Sequence, residues 1–274
     1  MISTNPIAGL SAEVPYELMQ YYVVLMIALV VIATIIDVTH KKSAKYFFNN
    51  AKKAQESATR VVPSGEKVGI AIKTVVEDVA LSGEFCNTRR RIAHLFTMYG
   101  FIIFVLSTAI MVFCAESGES YTILPQLWHI GAGMLALGSW WFWLFIRVDV
   151  AAEGNKWYNI EPMDLFSLSL MATSALALTW SFTGGGNGVF FILFVIASTI
   201  LFGGVMWSKF AHMFFKPAAA FNKRMTKADG SMENLPKPAD RSNPETRDRH
   251  SMLLLKDAPL DMGLGIKREP PRHY

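Results

Sequence analysis

Apolar and polar residues alternate along this chain in long blocks, and five of the apolar blocks are long enough to cross a bilayer. A helix rises about 1.5 Å per residue, so roughly 20 apolar residues cover about 30 Å of hydrocarbon. The pattern therefore predicts an all-α integral membrane protein built as a five-transmembrane-helix bundle. The five predicted spans cover residues 21–36, 92–113, 124–146, 165–182 and 189–215.

The polar segments between the spans predict how the bundle is oriented. Lysine and arginine are absent from residues 1–19, from the acidic link at 115–121 and from the glycine-rich turn at 184–188. Residues 39–91, in contrast, hold eleven Lys/Arg against five Asp/Glu. Cationic loops stay on the cytoplasmic side of a membrane. The N-terminus is therefore expected outside and the C-terminus in the cytoplasm, in a multi-pass protein of the cytoplasmic (inner) membrane.

This topology divides the chain into an external segment, a first span, a basic cytoplasmic loop, a four-helix transmembrane core and a cytoplasmic tail. Their bounds are 1–19, 20–38, 39–91, 92–216 and 217–274. Within the loop, residues 66–81 repeat valine and isoleucine at helical spacing, which predicts an amphipathic helix lying on the membrane or on a partner. The tail is rich in proline and mixed charge, which predicts a largely disordered segment. Its apolar island at 253–266 fits a docking peptide or a short helix that folds back on this chain.

Cysteine and charge usage argue against several classes of function. Cys86 and Cys114 flank the second span at opposite ends, about 30 Å apart, which is too far for a disulfide. No Cys/His cluster has the spacing of a zinc or iron–sulfur site. The net charge of +4 is distributed by membrane side, which argues against nucleic acid as a partner. No charged residue lies deep in a span, which disfavours a coupled transporter. The N-terminus lacks signal-peptide features, so the first span is expected to be retained.

Small residues mark the faces on which the later spans are expected to pack. Glycine, alanine and serine let helix backbones approach closely in lipid. In the third span these residues are Gly131, Gly133, Ala136 and Gly138. The same span carries Trp140, Trp141 and Trp143, which are typical of an aromatic belt and alternatively of the wall of a cofactor or quinone pocket.

Three histidines in the spans are the candidates for chemistry. His94 follows three consecutive arginines at the start of the second span, and His212 lies near the end of the fifth. These spans run in opposite directions, so both histidines are expected at one depth on the cytoplasmic side. Paired imidazoles of this kind hold b-type haems in membrane proteins. Two alternatives stay open for the pair, axial ligation of one haem b or an interfacial or quinone-lining role. His129 is interpreted as a packed or quinone-adjacent residue near the outer face.

A resemblance to a known family is carried first by the motif RRRIAHL at residues 89–95, with Asp78 before it and Tyr99-Gly100-Phe101 after it. This pattern resembles the opening of the membrane domain in nitrate-reductase gamma-type cytochrome b subunits and in the quinone-interacting membrane subunits. Residues 66–225 resemble more specifically the membrane anchor of dissimilatory adenylylsulfate (APS) reductase in sulfur-oxidising bacteria. The segments that carry this second resemblance are LWHIGAGMLALGSWWFWLFIRVDVAAEGN, EPMDLFSLSLMATSALALTWSF and HMFFKPAAAFNKRM.

The resemblance implies a role in electron transfer. The chain would be a non-catalytic anchor that docks the flavoprotein and iron–sulfur subunits of a cytoplasmic APS reductase and passes electrons to the quinone pool. The gamma-type family holds two haems with two histidines on each of two spans. Only His94 and His212 stand on the corresponding spans here, so at most one haem is expected. The alternatives are a gamma-like cytochrome b subunit of another quinone-linked complex and a redox-inactive structural tether.

Overall fold

A computed structural model describes residues 4–40, 43–85, 87–114, 123–147, 158–208, 212–232 and 244–245, and these ranges contain helices and no strand. The helices are α1 (Pro6–Leu10), α2 (Tyr16–His40), α3 (Ser43–Glu56), α4 (Ser64–Lys73), α5 (Thr88–Cys114), α6 (Ile123–Trp141), α7 (Leu165–Phe182), α8 (Val189–Gly203) and α9 (His212–Ala228). π-helical turns extend α4 over Thr74–Ala80 and α6 over Phe142–Ile146. Single 3₁₀ turns precede α7 at Pro162–Asp164 and follow α8 at Gly204–Met206.

Five of these helical segments are long and apolar enough to cross a membrane, which confirms the all-helical class and the number of spans. They cover Tyr16–Asp37, Thr88–Cys114, Ile123–Ile146, Leu165–Phe182 and Val189–Met206. Large apolar side chains cover their outer surfaces, as lipid contact requires. Examples more than 50% exposed are Leu25, Ile32, Leu106, Leu137 and Ile192. The orientation of the bundle stays a prediction.

Helices α5 and α6 form the most intimate pair, because glycines bring their backbones into contact. A Cβ added to Gly138 would lie 2.6 Å from the backbone nitrogen of Thr97, and one added to Gly131 would lie 2.6 Å from that of Phe104. Helix α5 contributes Gly100, whose added Cβ would lie 2.9 Å from the carbonyl oxygen of Gly131. These positions confirm part of the predicted packing face. Gly133 departs from it, since nothing lies within 4 Å of its added Cβ.

Helices α7 and α8 form a hairpin through the glycine-rich turn, and α2 completes the bundle against α8. Trp180 of α7 stacks on Phe194 of α8 with ring centroids 5.7 Å apart. The Tyr22 hydroxyl of α2 lies 3.2 Å from the carbonyl oxygen of Val195 and 3.0 Å from the Thr199 hydroxyl. The first span thus packs against the last one.

The two ends of the bundle are built differently. We call outer end the one where α1 covers the turn at 183–188, and inner end the one that carries α3, α4 and α9. At the outer end, Ile7 and Leu10 of α1 are buried, and the Glu13 carboxylate accepts a hydrogen bond from the backbone N–H of Asn187 at 2.8 Å. The N-terminal segment and this turn therefore share one end, as the predicted topology requires.

Two predicted boundaries are wrong at the inner end. The fifth span was expected to continue to residue 215, but it ends in the 3₁₀ turn at Met206, and α9 begins as a separate helix at His212. Tandem glycines at 203 and 204 end the span because glycine is a poor helix former. Residues 217–228 of the predicted disordered tail are helical in α9. The rest of the predicted tail, residues 233–243 and 246–274 with the apolar island, lies outside the described residues, as does Cys86.

Candidate functional site at the inner end

The chain between α4 and α5 folds back along the first turns of α5. The Tyr99 hydroxyl donates to the carbonyl oxygen of Ala80 at 2.9 Å, and Arg91 Nε donates to that of Leu81 at 2.7 Å. Ser82, at the bend, is 1% exposed and has a φ of +50°, in the left-handed region that serine seldom adopts. Two hydrogen bonds and the buried bend at Ser82 thus fix this segment against α5.

His94 lies beneath this bend. Its Nδ1 is 2.9 Å from the Ser82 hydroxyl, and its ring packs against Phe85 at a centroid distance of 4.8 Å. The ring is half-buried rather than fully exposed at the surface. A hydrogen bond to one ring nitrogen fixes the orientation of the imidazole, which is the arrangement that ligating histidines use. The structure thus gives His94 a defined place next to the motif that singled it out.

The predicted partner of His94 is only partly described. His212 is the first residue of α9, and its side chain lies outside the described part of the structure. Helix α9 does lie beside the α4–α5 connection, because Lys216 Nζ is 3.6 Å from the Glu84 carboxylate. Both histidines therefore belong to the inner end, and their pairing stays a prediction.

His129 lies at the opposite end of the bundle, in the contact between α6 and α7. Its Nδ1 donates to the carbonyl oxygen of Pro125 at 2.6 Å, and its Nε2 lies 2.8 Å from the Ser181 hydroxyl. The ring is 5% exposed and stacks on Phe182. Because both ring nitrogens are hydrogen-bonded within the protein, the geometry supports the packed interpretation of His129.

An ion pair that the sequence reasoning missed joins α6 to α7 at the inner end. Arg147 and Asp164 form a two-pronged contact, in which Nε donates to Oδ1 at 2.8 Å and Nη2 donates to Oδ2. Both residues are 8% exposed, and the guanidinium lies 4.5 Å from the ring centroid of Trp143. In the sequence, Arg147 directly follows the third predicted span and Asp164 directly precedes the fourth. These positions at neighbouring span ends were the available sign that the two residues could meet.

The tryptophans of α6 divide between the two predicted roles. Trp140 and Trp141 are more than 40% exposed, as residues of an aromatic belt are. Trp143 is 4% exposed and lies under the Arg147 guanidinium. It therefore belongs to the ion-pair site and not to the belt.

A second charged cluster ties α9 to the end of the α4 segment. Arg224 Nε donates to Asp78 Oδ2 at 2.5 Å, while its Nη2 donates to Asp78 Oδ1 and to Glu77 Oε2, both at 2.8 Å. Hydrogen bonding to the Arg224 guanidinium holds the pKa of the Asp78 carboxyl below its usual value. In the sequence, Asp78 was noted only as part of the resemblance. In the structure, it holds α9 against the end of the α4 segment through Arg224.

The described residues contain no group of three or more histidine, cysteine or acidic side chains that could hold a metal ion. No protein-family model, curated protein or solved structure matches this chain. The resemblance to the gamma-type and APS reductase membrane subunits therefore stays a prediction.

Proposed function

We propose that this chain is a membrane anchor whose inner end binds a soluble partner and places it against the bilayer. One observation carries the proposal, the contrast between the two ends. Helices α3, α4 and α9 form a broad helical platform at the inner end, whereas the described outer end is closed by α1 and a short turn. Helix α9 has four lysine and arginine residues and no acidic one. Lys216 and Arg224 pair with acidic residues of this chain, while Lys223 and Lys227 are exposed on its surface. Such a surface favours an acidic partner by electrostatic steering.

The resemblance identifies the class of partner in this proposal. The partner is a cytoplasmic APS reductase with its flavoprotein and iron–sulfur subunits, and the anchor connects it with the quinone pool. The positive-inside distribution of lysine and arginine supports a platform on the cytoplasmic side, and the membrane in this proposal is the inner membrane. A gamma-like cytochrome b subunit of another complex shares the same architecture, as does a redox-inactive tether.

Partner binding is tested with the full chain in proteoliposomes and the APS reductase of the same organism. Reversing two exposed platform charges, Lys52→Glu with Lys223→Glu, should weaken co-sedimentation of the enzyme most strongly at low salt, because salt screens exposed charges within about 8–10 Å. The matched control reverses a charge at the other end, Glu17→Lys, and should leave binding unchanged. Equal binding by all three proteins would remove the platform from the proposal.

In this proposal His94 would be one axial ligand of a haem b. Its Nδ1 is oriented by Ser82, so ligation would use Nε2, and His212 would supply the second axial nitrogen. A bound haem would supply one-electron transfer. The protein's own contribution is to orient the His94 ring between Ser82 and Phe85.

An absorption spectrum of the dithionite-reduced protein separates the electron-transfer role from the tether. Under the haem hypothesis the spectrum shows a b-type α-band, which His94→Ala and His212→Ala each abolish and His129→Ala preserves. A wild-type spectrum without the band rejects the haem, and the pair then has an interfacial or quinone-lining role.

Reporter fusions test the proposed orientation. A reporter that is active only in the cytoplasm should be active when fused after Tyr274, and the same reporter placed before Met1 should be silent.

A further inference from the structure

The segment 64–80, which comprises α4 and its π-helical continuation, turns a row of apolar side chains away from the rest of the chain. Val68, Ile72, Val75 and Val76 are 48–60% exposed and form what we call the apolar stripe. Thr74, on the opposite side of the same segment, is 2% exposed. Four aliphatic side chains exposed on one helix face are typical of a surface that contacts something other than water.

The end of this segment lies beside the first turns of α5. Tyr99 and Arg91 donate hydrogen bonds to the carbonyl oxygens of Ala80 and Leu81. Side chains of a helix point back toward its N-terminus, so the Tyr99 hydroxyl lies closer than its Cα to the arginines that open α5. Those arginines mark the boundary between headgroups and hydrocarbon at the start of a membrane-crossing helix. The segment is thus held at the level of that boundary.

Charged side chains flank the stripe on both sides. The acidic residues of the segment are paired, Glu66 with Arg60, Asp78 with Arg224, and Glu77 with Arg224 and Lys73. Lys67 is exposed, and Lys73, which lies 3.8 Å from Glu77, has a 58% exposed side chain. At 100° per residue, the two lysines stand on the two flanks of the apolar stripe. Lysines on the flanks of an apolar helix face are typical of a helix that lies in the interface of an anionic membrane.

We propose that the segment 64–80 is an interfacial helix that inserts its apolar stripe among the acyl chains of the leaflet at the inner end. Lys67 and Lys73 then contact the phosphates of anionic lipids. The stripe is the lipid-facing side of this segment, and the soluble partner is proposed to bind the charged surface of α3 and α9. The two surfaces are separate because α9 packs on the opposite side of the segment through Arg224.

Spin-label accessibility tests the proposal in the full chain, reconstituted in nanodiscs that contain phosphatidylglycerol. Both cysteines are first replaced by serine, and a single label is then attached at Ile72→Cys or, in a second protein, at Val75→Cys. Lys227→Cys on α9 is the matched control, because Lys227 is exposed and lies on a helix packed against the other side of the segment. Labels at both stripe positions should collide several-fold more with oxygen, and several-fold less with a water-soluble nickel chelate, than the label at Lys227.

Three results would overturn the proposal. Chelate collision rates at Ile72 and Val75 equal to that at Lys227 would place the stripe in water. Such rates are also what a stripe reserved for a soluble protein would give, since the nanodiscs contain only this chain. Shielding that disappears when Leu253, Leu254 and Leu255 are replaced by Glu would identify the tail as the cover. Replacing Lys67 and Lys73 by Gln should reduce the shielding in phosphatidylglycerol nanodiscs and leave it unchanged in phosphatidylcholine nanodiscs, and equal loss in both lipids would reject the anionic contact.

Discussion

The outer and inner ends of this bundle show two ways of finishing a set of membrane helices. At the outer end the chain covers itself, because Ile7 and Leu10 of α1 are 3% and 1% exposed above the turn at 183–188. At the inner end, ion pairs hold the helices together while Phe48 and the apolar stripe stay exposed. Among the described residues, helical surface outside the candidate spans therefore lies mainly at the inner end. The comparison teaches that ion pairs position the helices at the inner end, while apolar side chains of the same helices stay exposed.

The largest expected effect comes from breaking the buried ion pair of the inner end. Arg147→Ala leaves the Asp164 carboxylate buried opposite an alanine, and we expect a loss of about 3–5 kcal/mol in the free energy of unfolding. Unfolding of the purified protein in detergent micelles measures it. The double variant Arg147→Met with Asp164→Leu should recover most of the loss, because no charged group then stays buried without its partner. A single variant as stable as wild type would show that the pair does not hold α6 to α7.

The next effect concerns the glycine contact in the inner half of the bundle. Gly138→Ala places a Cβ 2.6 Å from the Thr97 backbone, which should cost about 1–3 kcal/mol of stability by forcing α5 and α6 apart. Gly133→Ala is the matched control on the same helix. It meets nothing within 4 Å and should raise stability by up to about 1 kcal/mol through helix propensity. Equal behaviour of the two variants in micelles would contradict the backbone contact.

A smaller and pH-dependent effect is expected where α9 docks. Arg224 holds the pKa of Asp78 below its usual value of 3.8, so the pair stabilises docking at neutral pH. That contribution is lost as the pH falls from 3.8 through the lowered pKa of Asp78, where the carboxylate gains a proton. A spin label at Lys227→Cys should therefore become more mobile on acidification. With Arg224→Ala the label should be mobile at every pH, and an immobile label in that variant would exclude the ion pair as the docking contact.

The smallest effect is expected at the outer end. Glu13→Gln keeps an oxygen that can accept from the Asn187 N–H, so we expect a change below about 1 kcal/mol. Unfolding in micelles measures it beside Arg147→Ala. A loss as large as that of Arg147→Ala would reverse the comparison, since it would show that charge organises the outer end as well.

The spans and the 66–81 helix were predictable because hydropathy and helical spacing are local properties of the sequence. The structure places that helix at Ser64–Ala80 within two residues of the predicted bounds. Glycine pairing at Gly131 and Gly138 was predictable for the same reason, although Gly133 shows that a small residue alone does not define a contact.

The features that were not predicted depend on which segments of the chain meet in space. Helix α3 was not predicted, because its lysines and asparagines resemble a polar loop until Ala54 is seen to be 3% exposed. Helix α9 continues into the predicted disordered tail, where its Arg224 contacts Asp78, 146 residues earlier in the chain. A contact over that distance is not visible in the local sequence. Arg147 and Asp164 each look like an ordinary boundary residue until α6 and α7 are placed side by side. For the histidines, the sequence singled out His94 but could not provide Ser82 as the residue that orients its ring.

The contact between Tyr22 and α8 also bears on synthesis of the chain. Tyr22 bonds to Val195, 173 residues later in the chain, so α2 is synthesised long before the helix on which it packs. A helix as apolar as α2 is stable alone in lipid, because its backbone hydrogen bonds are satisfied internally. Helices α5 and α6 are likewise complete before α8 is made. The contact of α2 with α8, and that of the N-terminal segment with the turn at 183–188, can form only after the last span has been synthesised.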